Sequence, residues 1–231
     1  MSIFKAYDVR GTVPDQLNPD VAYRFGIAAA KYFQQPEIVV GRDMRLSGDE
    51  IFQALARGIR HCGSDVIDVG VVDSPHIYYV VGTHGYRAGI MITASHNPPH
   101  YNGFKLCRDR AIPISYDTGL NKIEEIYNAN PRGAADPNGT IKTRDCYAEY
   151  IAYLQKTVTA PLAPLKLVID AGNGMAGKFI GDLLKPHAVT ATVLYPELDG
   201  NFPHHEANPL KPENVRELCA RVKAEGADLG I

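Results

Sequence analysis

The sequence predicts an α/β protein of two layered α/β domains, with mixed sheets flanked by helices. Helical and extended patterns alternate along the chain, which favours layered α/β domains. Residues 130–139, NPRGAADPNG, concentrate turn formers between two such regions. At 231 residues with 45% hydrophobic side chains, the chain can supply two cores of ordinary size. We therefore expect a first domain over residues 1–144 and a second over residues 145–231.

The first elements have recognisable boundaries. Asn18 followed by Pro19 is typical of a cap and first helical turn, and apolar residues then recur at helical spacing. Residues 37–41, EIVVG, predict a short strand. Residues 47–50, SGDE, match a capping box, which predicts a second amphipathic helix ending near Gly63.

The alternation continues with strands at residues 65–69 and 90–92 and a short helix at residues 75–82 between them. An extended segment resumes at Phe104 and Lys105 after a loop, so we expect a mixed rather than purely parallel sheet. In such domains ligands gather at strand ends, and function should cluster at one edge of the sheet.

The second domain should begin with a helix that places Tyr147, Ile151 and Leu154 on one face. The turn TAPLAP at residues 159–164 should end that helix before a strand at residues 165–169. Residues 227–231, ADLGI, predict a further strand.

Composition argues against several kinds of partner. The net charge of −2 and the dispersed basic residues give no broad face for nucleic acid, and the apolar runs are too short to span a membrane. The four cysteines lie far apart without a Cys-x-x-Cys pair, which predicts reduced thiols. Charged residues near the N-terminus occupy the place of a signal peptide's apolar region, so we expect a cytoplasmic protein. The oligomeric state is unknown from the sequence.

The most informative segment is TASHNPPHYNGFK at residues 93–105. Ser95 follows a buried-strand pattern, Pro98 breaks it, and the pair Asn102 and Gly103 predicts a turn that reverses the chain. A phosphorylated serine carries about −1.5 to −2 charges, and His96 and Lys105 are close enough in sequence to balance them. The segment predicts phosphoryl transfer, whereas a polar surface turn is the alternative.

Several motifs together resemble the α-D-phosphohexomutase superfamily, most closely its phosphomannomutase/phosphoglucomutase branch. Besides residues 93–105, they are FKAYDVRG (4–11), VGRDMRLS (40–47), DVGVVDSP (68–75), VIDAGNGMAG (168–177) and DGNFP (199–203). The resemblance covers nearly the whole chain.

This resemblance implies an enzyme that interconverts hexose 1-phosphates and hexose 6-phosphates through a phosphoserine and a bisphosphorylated sugar. The implied catalytic residues are Ser95, Lys105, His96 and Arg10, and the implied substrate-binding residues are Tyr7, Arg10, Asn97 and Lys105. Arginine suits bidentate phosphate binding through its planar fork. The alternatives are a surface amine for Lys105, a turn residue for His96, an ion pair with Asp8 for Arg10 and a core position for Tyr7.

The resemblance also implies Mg²⁺ as cofactor and glucose 1,6-bisphosphate as activator. The phosphate on Ser95 would supply one metal ligand, in keeping with the preference of Mg²⁺ for carboxylate and phosphate oxygens. The family's metal-binding aspartates are expected beyond Ile231. We therefore expect a truncated second domain and a fragment that does not turn over substrate.

Other interpretations stay open at this point. Arg42, Asp43 and Arg45 could form a phosphate pocket, but a strand-end ion-pair cluster is favoured over it. Residues 172–177, GNGMAG, fit G-x-G-x-x-G and admit a dinucleotide-dependent oxidoreductase, although tight packing is favoured because no acidic ribose reader is well placed. A phosphoglucosamine mutase and a non-catalytic sugar-phosphate binding module are the remaining alternatives.

Overall fold

The computed structural model describes residues 2–136, 138–159, 162 and 164–231. The chain forms two compact units. The first comprises the residues up to Ala94 together with His100–Cys146, and the second comprises Ser95–Pro99 and Tyr147–Ile231. The division after Cys146 lies two residues beyond the domain boundary that the sequence predicts.

The first unit contains helices and strands in the alternation expected from the sequence. In chain order they are β1 (Val9–Thr12), α1 (Pro19–Phe33), β2 (Glu37–Arg42), α2 (Gly48–Arg60), β3 (Asp65–Val71), α3 (Ser74–Thr83), β4 (Ala88–Ile92), β5 (Tyr101–Arg108), β6 (Ile112–Pro113), α4 (Leu120–Asn128) and β7 (Ile141–Thr143).

The strands described in this unit form one mixed sheet, as predicted. Its order is β1-β5-β4-β2-β3-β7, with β6 paired to β5. The pairs within β4-β2-β3-β7 are parallel, whereas β5 runs antiparallel to both β1 and β4. Strands β4 and β5 therefore bring the two stems of the serine loop side by side.

Helix α1 begins at Pro19, as the sequence predicts. The Asn18 side chain accepts a hydrogen bond from the Val21 amide, and Pro19 occupies the first turn. Its core face is buried, and the Phe25 ring stacks on Phe104 of β5 with centroids 4.4 Å apart. This stack ties α1 to the strand that carries Lys105.

The capping box predicted for α2 is wrong. Ser47 has helical dihedral angles and makes no capping hydrogen bond with its side chain. Its hydroxyl instead lies 2.9 Å from the Asn102 side-chain amide, which donates to it. The Ser47 hydroxyl therefore takes part in a tertiary hydrogen bond and does not cap the helix as the local pattern predicts.

The predicted reversal at Asn102 and Gly103 is also wrong, because both residues lie inside β5. Asn102 is fully buried, and a Cβ on Gly103 would lie 2.0 Å from the Val9 carbonyl oxygen. Gly103 is therefore required by the close approach of β1 and not by a turn.

The second unit contains α5 (Tyr147–Thr157), β8 (Lys166–Asp170), α6 (Ala176–Leu184), β9 (Thr190–Leu194), α7 (Arg216–Glu225) and β10 (Leu229–Gly230). Its described strands pair in the order β10-β8-β9, and both pairings are parallel. The prediction of a mixed sheet is thus wrong for this part of the second unit. The predicted turn at residues 159–164 lies partly outside the described residues.

All four cysteines are free thiols, as the sequence predicts. Cys107 and Cys146 are buried, Cys62 is half-buried and Cys219 is exposed. Among the residues described, no helix has the length and apolar character needed to cross a membrane.

Candidate active site

The serine loop begins where β4 ends. Thr93 and Ala94 are still buried, whereas Ser95 and His96 are exposed and Asn97 is half-buried. Ser95 has a φ of +54°, in the left-handed region that few non-glycine residues occupy. Such strain persists only where the surrounding structure holds it, and it is frequent at functional sites.

A cationic edge lies on neighbouring strands of the first unit. Arg10 of β1 pairs with Gly103, so its strand neighbour in β5 is two residues from Lys105. The Lys105 amine lies 3.3 Å from Asp8 Oδ2, and Arg10 Nη2 lies 3.9 Å from Asp8 Oδ1. Two cations share one carboxylate, which leaves a net positive charge suited to binding an anion.

The contacts and exposure of Arg10, Lys105 and Tyr7 bear on the choice between their predicted site roles and the structural alternatives. Arg10 does pair with Asp8, but at the outer limit of an ion pair, and its side chain remains 31% exposed. The Lys105 side chain is 27% exposed and its amine contacts the same carboxylate, so it is not a free surface amine. Tyr7 is 78% exposed, and its alternative assignment to the core is wrong.

The ion-pair interpretation of Arg42, Asp43 and Arg45 at the end of β2 is confirmed. Arg42 bonds Asp49 at 2.6 Å and Asp68 at 3.0 Å, and Arg45 Nε lies 3.4 Å from Asp43 Oδ2. Burial raises the pKa of Asp43, although hydrogen bonds from Thr93 and the charge of Arg45 oppose that rise. Burial likewise lowers the pKa of Arg45 against the opposing effect of Asp43.

Of the predicted site residues, the first unit brings Arg10 and Lys105 together around Asp8 and exposes Tyr7 beside them in the chain. Ser95, His96 and Asn97 lie in the 95–99 segment, which belongs to the second unit. Sequence reasoning considered Asp8 only as a partner of Arg10 and missed its contact with Lys105. The position of Asp8 within the FKAYDVRG motif was the sequence signal that could have identified it as a site residue.

The glycine-rich segment after β8 surrounds a carboxylate. Asp170 accepts a hydrogen bond from the Gly172 amide at 2.9 Å, and His205 Nε2 lies 3.1 Å from Asp170 Oδ2. A Cβ on Gly177 would lie 1.8 Å from the Pro196 carbonyl oxygen. Close packing therefore explains Gly177 without a dinucleotide.

The mixed sheet, the serine loop after β4 and the paired cations on β1 and β5 define an α/β protein with a phosphate-compatible edge. Two family models match the chain: phosphoglucomutase/phosphomannomutase, alpha/beta/alpha domain I, over residues 1–133, and domain II over residues 147–231. The chain belongs to the phosphoglucomutase/phosphomannomutase family.

Curated relatives agree with this assignment. The chain is 44% identical over 230 residues to "Phosphohexose mutases" of Xanthomonas campestris pv. campestris, covering 99% of this chain and 51% of the relative. It is 40% identical over 237 residues to "Phosphomannomutase/phosphoglucomutase" of Pseudomonas aeruginosa, covering 100% of this chain and 49% of the relative. The chain thus spans about half the length of these relatives.

A solved structure supports the fold. The chain matches a phosphoglucomutase/phosphomannomutase family protein from Burkholderia thailandensis with a TM-score of 0.86 and 37% identity. The match covers 99% of this chain and 51% of that structure. The two-unit α/β architecture is therefore that of the family.

Proposed function

We propose that the protein to which this chain belongs interconverts the 1-phosphate and 6-phosphate of mannose or glucose, with Ser95 as the resident phosphoryl carrier. The observation that carries this proposal is the exposed Ser95 in a strained left-handed conformation, within a motif that resembles the family's phosphoserine loop. Relatives named phosphomannomutase and phosphoglucomutase support the reaction class.

The chemistry is two opposite phosphoryl transfers. A sugar hydroxyl attacks the phosphorus of phosphoserine, the bond from phosphorus to Ser95 Oγ breaks, and the hydroxyl proton passes to a base. The bisphosphorylated sugar then reorients, and Ser95 Oγ takes phosphate from the other position. The sugar oxygen released in this second transfer regains a proton.

We assign the proton transfers and the stabilisation of charge to His96 and Lys105. Arg10, Tyr7, Asn97 and Lys105 bind the hexose phosphate. The shared carboxylate of Asp8 orients the Lys105 amine and Arg10 before the substrate arrives. Such preorganised charge is the main protein contribution to phosphoryl transfer.

We propose Mg²⁺ as the metal, because the phosphate oxygens that Ser95 would carry are ligands that this ion prefers. When bound, the ion would neutralise charge on the transferring phosphoryl group. Among the described residues, the phosphate on Ser95 is the metal ligand that we assign.

The preference for mannose or glucose over glucosamine phosphate rests on the names of the relatives. Phe104 of the serine-loop motif is fully buried against Phe25, so it packs in the core and does not contact the sugar.

Labelling with glucose 1,6-bisphosphate tests the proposal. We expect incubation of the chain to add one phosphoryl group, detected by intact mass and located on Ser95 by peptide mapping. Ser95→Ala should remain unlabelled. Phosphate on another residue, or equal labelling of the alanine variant, would contradict the assignment. The assay measures phosphorylation and not turnover, because the chain spans about half the length of its relatives.

A further inference from the structure

Three buried polar side chains lie near the ends of β2 and β4 in the first unit. Asp43, Arg45 and Thr93 are only 7%, 3% and 6% exposed. The Thr93 hydroxyl donates to Asp43 Oδ2 at 2.6 Å, and the Arg45 backbone amide donates to Asp43 Oδ1 at 3.2 Å. Both oxygens of the carboxylate therefore have fixed partners.

The same group holds both stems of the loop. Thr93 lies two residues before Ser95, at the end of the stem that leaves β4. On the returning stem, Arg45 Nη1 donates to the carbonyl oxygen of Tyr101 at 3.0 Å. A backbone hydrogen bond from the Thr93 amide to the Gly103 carbonyl, 3.0 Å long, closes the base between the stems.

A buried ion pair is a poor choice for stability alone. Removing two charges from water is unfavourable, and well-packed apolar side chains of similar volume often stabilise a protein as well or better. What the pair of Asp43 and Arg45 adds is direction, because two of its hydrogen bonds each fix one atom of the loop stems: the Thr93 hydroxyl and the Tyr101 carbonyl oxygen.

Rigid stems matter for Ser95 because its backbone is strained. A non-glycine residue in the left-handed region is strained and relaxes unless its neighbours hold it in place. Stems fixed at Thr93 and Tyr101 oppose that relaxation. Correct placement matters because a displacement of about 1 Å can cost roughly 100-fold in rate.

We propose that Asp43 and Arg45 are positioning residues, which act through Thr93 and the Tyr101 carbonyl to hold Ser95 in its reactive conformation. This inference rests on the proposed function of Ser95 as phosphoryl carrier. Neither Asp43 nor Arg45 needs to touch the substrate.

Removal of the Thr93 hydroxyl tests the inference. We expect Thr93→Val to lower the maximal rate of Ser95 labelling by glucose 1,6-bisphosphate about 10- to 100-fold. The half-saturating concentration should change by less than about threefold, because the phosphate-binding cations are untouched. Thr93→Ser keeps the hydroxyl and should retain a labelling rate within about threefold of the parent chain.

Ser64→Ala is the matched control. Ser64 is 5% exposed, and its hydroxyl donates to the Gln35 carbonyl at 2.7 Å where β3 begins, so this variant also loses a buried hydrogen bond in the first unit. We expect it to lower stability without slowing labelling. Equal slowing in Ser64→Ala and Thr93→Val at matched stability would overturn the inference.

Hydrogen exchange of the peptide spanning residues 94–101 gives a reading that does not depend on phosphorylation. Thr93→Val and Asp43→Asn should each raise its exchange rate, whereas Ser64→Ala should not; the asparagine variant serves if Thr93→Val fails to fold. If the parent chain takes no phosphate but exchange rises in these variants, the proposed function fails while the anchoring stands. Unchanged exchange in both variants would overturn the anchoring itself.

Discussion

Asp8 sets the charge available at the cationic edge. Its carboxylate is shared by Lys105 and Arg10, and the distances of 3.3 and 3.9 Å leave neither cation tightly bound. Lys105 and Arg10 were predictable as site residues, because they lie in recognisable motifs. The sharing of Asp8 was not predictable, since it arises from the pairing of β1 with β5, which brings residues about a hundred positions apart in sequence into contact.

A second carboxylate, Asp65, shows how one residue can make stability depend on pH. Asp65 starts β3 and accepts hydrogen bonds from the Thr140 amide at 2.6 Å and from the Lys142 amine at 2.8 Å. The Lys142 hydrogen bond, followed by that of Thr140, lowers the pKa of Asp65 from 3.8 to about 2.

Because this pKa is lower in the folded state, the stabilisation is complete above pH 3.8 and is lost as the pH falls towards 2. We expect Asp65→Asn to reduce the free energy of unfolding at pH 7 by on the order of 1 kcal/mol. The variant and the parent should converge at low pH. Urea unfolding from pH 2.5 to 7 measures both; a constant difference across that range would contradict the prediction.

At the scale of elements, the sequence predicted the order of helices and strands in the first unit well. It failed where tertiary contacts override local patterns. The Ser47 hydroxyl accepts a hydrogen bond from the Asn102 side chain instead of capping α2, and the pair Asn102 and Gly103 lies in a strand instead of a turn. Both errors concern β5 or its contacts, where tertiary packing competes with local preferences.

Gly103 provides a direct test of that edge. We expect Gly103→Ala to reduce the free energy of unfolding by about 3 kcal/mol, because the added methyl group would meet the Val9 carbonyl and push β1 away from β5. Ser95 labelling should fall as Arg10 is displaced.

Gly82→Ala is the matched control. Gly82 lies in α3, and a Cβ at this position would meet only Ala111 Cβ, at 3.6 Å. We expect this variant to be neutral or stabilised by up to about 1 kcal/mol. Urea titrations of both variants measure the difference. If the two variants had the same stability, β1 would not depend on the close approach at Gly103.

At the scale of the whole chain, the two-domain α/β class followed from alternation and length. The all-parallel pairing of β10, β8 and β9 did not follow, because short apolar runs do not reveal the direction in which strands pair. The local stability of each unit could not be predicted from the sequence either, because burial depends on which faces of the helices and strands pack together.

The buried residues of the helices predict unequal local stability. Helices α1 and α2 each bury eight residues, whereas α5 buries two, α6 buries Phe179 and α7, which is described in full, buries none. Because the free energy of local opening increases with buried apolar area, we expect backbone amides of α7 to exchange far faster than those of α2. Hydrogen exchange with mass spectrometry measures this, and equal protection of α7 and α2 would contradict it.

The alternation along β5 also constrains how such proteins diverge. Phe104 is fully buried against Phe25, and the next residue, Lys105, faces the opposite side of the strand. A single inserted residue in β5 would exchange these faces, placing an amine in the core and an aromatic ring at the cationic edge. Length changes during evolution should therefore accumulate in neighbouring loops, while this strand keeps a constant number of residues.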